Sequence, residues 1–185
     1  MNGLEVYSNI LSKESCKEII KFFKKDRRHK LGFTSGGINT KTKQSTDLYC
    51  TFSDNQWDSY SKLIEPSVVK FANNIKEKYP FLNTGTDYWR NSNSYNIQYY
   101  KDNQGYFTLH CEQSSTCPHR MLAWMIYLND AKCGTEFPYQ KTILSAERGK
   151  GAIWPATWTH PHKGVTPNIG NKYIVTGWFE FYKPQ

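Results

Sequence analysis

Tyr173-Ile174-Val175-Thr176-Gly177-Trp178-Phe179-Glu180-Phe181-Tyr182 reads as one long strand, and that reading decides the fold. β-Branched and aromatic residues dominate it, and such side chains suit a pleated, half-buried surface. Two-residue alternation places Lys172, Ile174, Thr176 and Trp178 on one face. A lysine heading a row of apolar and aromatic residues is expected to be semi-buried, and a buried ammonium needs an anionic partner. None stands nearby in sequence. A ligand carboxylate and an escape to solvent at the strand end both remain open.

Working outward, residues 94–100, 107–109, 121–128, 142–145 and 151–154 are further short β-rich runs split by Gly, Pro and Asn. Short strands at such spacing imply a sandwich, barrel or jelly roll. The first 80 residues have a different texture. Residues 4–7 read as a short strand. Ser15 and Glu18 have capping-box spacing, with Cys16, Ile19, Ile20, Phe22 and Phe23 on one helical stripe that ends near Lys25. Asp54 can cap a second helical region, in which Trp57, Tyr60, Leu63, Ile64, Val68, Phe71, Ala72 and Ile75 keep the period. Pro66 is expected to kink it or to start a new helix. The fold class is therefore mostly β with N-terminal helices (α+β). No internal repeat or boundary interrupts the 185 residues, so one domain is expected: residues 1–80 as helical support with a mobile basic loop, residues 94–182 as the β core.

An aromatic content of 16% suits a β-rich core. Net charge is +8, from 24 Lys+Arg against 16 Asp+Glu. Much of the excess lies early, at Lys21, Lys24, Lys25, Arg27, Arg28, Lys30, Lys41 and Lys43. A solvated face explains such a run, and so does attraction to an acidic or nucleic-acid partner. Residues 26–46, with Gly36-Gly37 at their centre, read as a long loop with at most one strand. Five cysteines, an odd count, and an opening Met1-Asn2-Gly3 without secretory pattern point to reduced thiols and a cytoplasmic location. Cys117-Pro118-His119 with Cys133 matches no zinc module. No apolar run approaches the ~18 residues of a membrane span.

The chemistry-bearing residues are His110-Cys111-Glu112, then His162. In an extended segment His110 and Glu112 share a face. His162 lies between two apolar strands, where a third ligand has to be. Two histidines and a carboxylate leave positions open on a metal, the set used by non-haem Fe(II) oxygenases, and catalytic zinc can use the same three. His160-Pro161-His162 offers two candidate imidazoles, and Lys172, ten residues on, favours His162. His119 is expected at the surface.

Tyr100-(nine residues)-His110-Cys111-Glu112, Trp124-Met125-Ile126-Tyr127-Leu128-Asn129, Gly134-Thr135-Glu136-Phe137-Pro138 and the run from His162 through Pro167 and Lys172 to Thr176 and Trp178 together resemble the 2-oxoglutarate/Fe(II)-dependent dioxygenases. The likeness is greatest to the prolyl 4-hydroxylase-like branch and spans somewhat under half of the chain. It implies a double-stranded β-helix (a cupin-like jelly roll). It implies His110, Glu112 and His162 as iron ligands and Lys172 on the distal carboxylate of 2-oxoglutarate. Tyr127 would bond the same carboxylate, Tyr100 would line its pocket, and Thr176 and Trp178 would flank it. Fe(II), 2-oxoglutarate and O2 follow as cofactors, with ascorbate as an optional addition. Two departures stand out: the family usually has Asp where this chain has Glu112, and some branches have Arg at Lys172. Lysine binds as a point charge rather than as a bidentate fork.

The expected activity is hydroxylation of a peptidyl proline or other protein side chain, with succinate and CO2 as co-products. A free amino acid or metabolite is the alternative substrate. A non-catalytic jelly-roll binding protein is the alternative class, and retention of Lys172 and Tyr127 beside the triad speaks against it. Nucleic-acid demethylation fits the charge, but Pro167-Asn168-Ile169-Gly170-Asn171 lacks the further arginines of the demethylase branch. No membrane partner is expected.

Overall fold

In the computed structural model, which describes residues 3–84, 88–167 and 169–183, the long C-terminal strand sits mid-sheet. The elements run β1 (Glu5–Tyr7), α1 (Lys13–Lys25), β2 (Lys30–Leu31), β3 (Thr46–Thr51), α2 (Asp58–Lys78), β4 (Trp89–Tyr100), β5 (Arg120–Tyr127), β6 (Ala131–Phe137), β7 (Thr142–Ala146), β8 (Gly151–Pro155), β9 (Lys163–Val165) and β10 (Lys172–Phe181). A seven-stranded sheet has the order β1-β8-β5-β10-β4-β3-β2, and a three-stranded sheet the order β7-β6-β9. Among the described residues every strand pairing is antiparallel, as in β10 with both β4 and β5.

Alternation divides the central strands between two cores. Leu122, Trp124 and Ile126 of β5, with Tyr173, Val175 and Phe179 of β10, pack with Ile19 and Phe23 of α1 and Ile64 and Phe71 of α2. Ala123, Met125, Tyr127, Ile174 and Trp178 cluster instead with Cys133 and Phe137 of β6 and Leu144 and Ala146 of β7. The helices thus cover one face of the large sheet, and the small sheet covers the other. Gly177 lets Trp124 lie flat against β10: a Cβ there would come 2.3 Å from the indole. The result is the mostly β jelly roll with N-terminal helices, the double-stranded β-helix.

Local expectations fare unevenly. α1 is capped by Ser12, whose side chain accepts from the Ser15 N–H at 3.0 Å, so the cap lies one turn before the Ser15–Glu18 box. α2 continues through Pro66 without restarting. Pro66 is exposed, so the carbonyl it leaves unpaired can face water, while Tyr60, Ile64, Val68 and Phe71 hold the buried face. Residues 107–109 are not a strand; Tyr106 and His110 on either side make isolated bridges to Lys43 and His162. β3, β6 and β9 are strands that alternation alone misses.

The basic segment 26–46 is anchored at several points. Thr34 and Gly37 exchange hydrogen bonds around the Gly36-Gly37 turn, where Gly37 has φ +87°. Gln44 N–H donates to Gly105 and Phe107 N–H to Thr42, each at 2.8 Å. Lys43 is 4% exposed because it meets the buried Asp47 carboxylate at 2.6 Å. Asp26, at the end of α1, binds Arg28 and accepts from Tyr60 Oη of α2 at 3.1 Å. Among the described residues no helix is long and apolar enough to cross a membrane. Met1, Asn2 and Asn168, named in the reading of the sequence, lie outside the described residues.

Candidate active site

The segment after β4 is stitched to the segment between β8 and β9, and this brings the three candidate ligands together. His110 N–H donates to the His162 carbonyl at 3.0 Å and His162 N–H returns the bond at 2.8 Å. Glu112 N–H donates to Ala156 O at 3.0 Å. Glu112 Oε1 then lies 3.6 Å from His110 Nε2 and 3.5 Å from His162 Nε2. The ligand atoms of the three residues fall within 4.8 Å of one another.

The donor set fits a divalent metal. His110 Nδ1 lies 3.0 Å from Thr108 O and His162 Nδ1 3.1 Å from His160 O. A carbonyl only accepts, so each Nδ1 carries its proton and each Nε2 turns inward, the tautomer a metal needs. The rings are held by packing. Tyr106 stacks on His110 at 3.6 Å and 11°, and Phe137 and Trp154 contact His162 at 5.2 and 5.0 Å. Burial opposes charge on Glu112, but the hydrogen bonds and charge that the two histidines offer when Nε2 also carries a proton outweigh it and hold its carboxyl well below the usual range. A dication placed there would favour the anion in the same way.

Glu112 Oε2 is occupied elsewhere. It accepts from Trp178 Nε1 at 2.8 Å and from Arg120 Nη1 at 3.3 Å. The Arg120 guanidinium lies 3.7 Å over the Trp178 ring. Reading the sequence missed Arg120; the signal was a cation eight residues after an unusual acidic ligand, opening the next strand.

Lys172 lies on the same cavity, 3% exposed. Its Nζ donates to Gly134 O at 3.2 Å and Val165 O at 3.4 Å and sits 4.8 Å over the Tyr100 ring. Burial lowers its pKa. Among the described residues it forms no ion pair with a carboxylate. Tyr100 Oη donates to Gln98 Oε1 at 2.5 Å and Thr176 Oγ1 to Trp124 O at 3.0 Å, and both residues line the cavity. Tyr127 does not line it. Its hydroxyl is buried against Thr135 Oγ1 at 2.8 Å and Leu144 O at 3.2 Å, and Thr135 stands on the wall in its place. The direct contact expected of Tyr127 would require its hydroxyl to leave these partners.

The cavity measures about 520 Å³ and runs from Lys172 past the histidines to Phe33, Thr34 and Ser35 of the basic segment. His160 is outside the cluster. It is buried against Gly3, with Nδ1 2.9 Å from Thr159 Oγ1, so His162 is the distal member. His119 is half-exposed beside Glu180. All five cysteines are free thiols.

No curated protein sequence matches the chain. A family model described as the 2OG-Fe(II) oxygenase superfamily matches residues 95–180. Among solved structures, a viral collagen prolyl hydroxylase of Paramecium Bursaria Chlorella virus-1, in complex with 2OG, superposes with a TM-score of 0.70 at 18% identity, covering 98% of this chain and 97% of that one. A Trichoplax adhaerens prolyl hydroxylase bound to a hypoxia inducible factor peptide fragment has a TM-score of 0.77 at 13% identity, covering 97% and 84%. A Pseudomonas putida prolyl-4-hydroxylase has a TM-score of 0.73 at 11% identity, covering 96% and 92%. At these identities the superpositions establish the shared fold, and the matched residues 95–180 hold His110, Glu112, His162 and Lys172. Residues 95–180 are thus matched by the 2OG-Fe(II) oxygenase superfamily, on a fold shared with prolyl hydroxylases; the match supports a dioxygenase that uses Fe(II), 2-oxoglutarate and O2, and the His110–Glu112–His162 cluster could bind the metal.

Proposed function

We propose that the chain hydroxylates a side chain of a peptide or protein, with a prolyl residue as the leading substrate. His110, Glu112 and His162 hold Fe(II), and Lys172 takes the distal carboxylate of 2-oxoglutarate. The observation that carries this reading is Lys172 itself: a buried ammonium with only carbonyl acceptors, on the cavity that also holds the triad. An incoming carboxylate would complete it. Bound Fe(II), with 2-oxoglutarate and O2, supplies the oxidising power, and succinate and CO2 leave as co-products.

The chain's own residues bind, orient and exclude water. Tyr100, Thr135 and Thr176 present ring and hydroxyl groups beside Lys172, and Met125, Ile174 and Trp154 make that end apolar. Removing water there strengthens the lysine–carboxylate attraction. The opposite wall, Phe33, Thr34, Ser35 and Tyr49, is where a peptide side chain would enter. Residues 27–46 hold no Asp or Glu, and Arg27, Lys30 and Lys41 are exposed. A peptide with acidic flanks suits that basic segment.

Helices and jelly roll act as one domain in this reading, since residues of both share one core. Free thiols suit a reducing compartment such as the cytoplasm. The test is succinate formation with Fe(II), 2-oxoglutarate and a panel of proline peptides, non-proline peptides and free amino acids. Stimulation by proline peptides is expected; stimulation by free amino acids alone would replace the substrate class. Absence of succinate under every condition would favour a binding protein.

A further inference from the structure

We infer that Arg120 and Trp178 form a clamp that restricts Glu112 to one metal-facing oxygen; this rests on the metal site proposed above. A carboxylate can ligate through one oxygen or both. Here the two oxygens face different neighbours. Oε1 approaches both histidine Nε2 atoms, at 3.6 and 3.5 Å. Oε2 accepts from Trp178 Nε1 at 2.8 Å and Arg120 Nη1 at 3.3 Å, donors that would have to be given up before it could turn inward.

The clamp is itself braced. Arg120 Nη1 also donates to the Glu112 carbonyl at 3.2 Å, and its guanidinium lies 3.7 Å over the Trp178 indole. Trp178 is 7% exposed on β10, and Arg120 opens β5 beside it. Two neighbouring strands thus fix one oxygen. The consequence is stoichiometric: a glutamate held through one oxygen leaves three of six positions free, whereas a chelating one would take a position needed by 2-oxoglutarate or O2. A long, flexible ligand side chain needs such a restraint more than a short one does. Arg120 and Trp178 are therefore positioning residues, acting through Glu112.

The test is titration of the metal-free protein with Co(II), followed by its visible absorption and by the metal-induced rise in Tm, in wild type, Arg120→Gln, Trp178→Phe and the double variant. Loss of partners that orient a ligand typically costs about 10–100-fold in metal affinity, and that loss is expected for each single variant. The double variant should also show an altered Co(II) spectrum, as the freed oxygen joins the coordination. In a Glu112→Asp background, whose shorter carboxylate cannot span from the histidines to both donors, Arg120→Gln should cost less than about 3-fold more, the non-additivity expected of groups that act together. Wild-type affinity and spectrum in the double variant would overturn the clamp. So would a lower metal-free Tm with an unchanged metal-induced rise, because the two residues would then only support the fold. Failure of the wild type to bind Co(II) at all would remove the metal site itself, and the clamp with it.

Discussion

Glu112 and Lys172 face the same cavity under opposite conditions: the carboxylate is surrounded by donors, while among the described residues the ammonium meets no anion. Both call for a guest, a cation between the histidines and an anion at the lysine. His110→Ala, Glu112→Ala and His162→Ala should each abolish Fe(II)-dependent succinate formation while leaving the far-UV circular dichroism unchanged. His160→Ala should keep metal affinity, since its ring is held by Thr159 away from the cluster; loss of metal there with retention in His162→Ala would reverse the choice of distal ligand. Lys172→Ala should weaken 2-oxoglutarate binding about 10–100-fold, the range for a charge-assisted contact of about 1.5–3 kcal/mol. Tyr127→Phe should cost less, about 5-fold, because its hydroxyl acts only through Thr135. Anaerobic titration of the Fe(II) protein measures both, and equal affinity in wild type and Lys172→Ala would remove the lysine from the co-substrate site.

Among the elements, the junction of α1 and α2 has a defined electrostatic lock. Hydrogen bonds from Arg28, opposed by partial burial and aided by Tyr60, pull the Asp26 carboxyl down to about 2. A pKa depressed by folding contributes stability above the unfolded value of about 4 and loses it as pH falls towards 2. Asp26→Asn should therefore destabilise the protein by about 1 kcal/mol at pH 7, a figure discounted for partial exposure. The gap should close by about pH 2. Parallel urea titrations at both pH values decide it, and a pH-independent difference would mean that packing, not charge, is lost. At the N-terminus of α1, Ser12→Ala should cost about 1 kcal/mol and Glu18→Ala almost nothing, because Ser12 makes the cap.

For the whole molecule, part of the excess positive charge lies on segment 26–46, which also lines the cavity. Segment 26–46 contributes Phe33, Thr34, Ser35 and Lys43 to the wall, and Lys43 is fastened by Asp47. With these anchors, any closure over substrate is expected at the hairpin tip around Gly36-Gly37 rather than over the whole segment. Lys30→Glu with Lys41→Glu should raise KM for an acidic-flanked peptide by about 10-fold at low salt. The difference should shrink near 1 M salt, where the screening length is about 3 Å. An unchanged KM at low salt would make those lysines ordinary solvated surface.

The ligand spacing His110-Cys111-Glu112, the solitary His162, Lys172 ten residues on, and the alternation of β5 and β10 were all legible in sequence, because each depends on local period or on residue chemistry. The α1 cap, the uninterrupted α2 and the strands β3, β6 and β9 were not. The cap is a local choice between Ser12 and Ser15, whereas α2 and these strands are held by packing and strand partners that override weak local signals. The same limit held at the site. Sequence named the residues that can bind a metal and an anion. Only the tertiary structure decided that Arg120 and Trp178 share Glu112 Oε2, that Tyr127 stands behind Thr135, and that Lys43 is buried, because each depends on where the fold carries a side chain and not on local period.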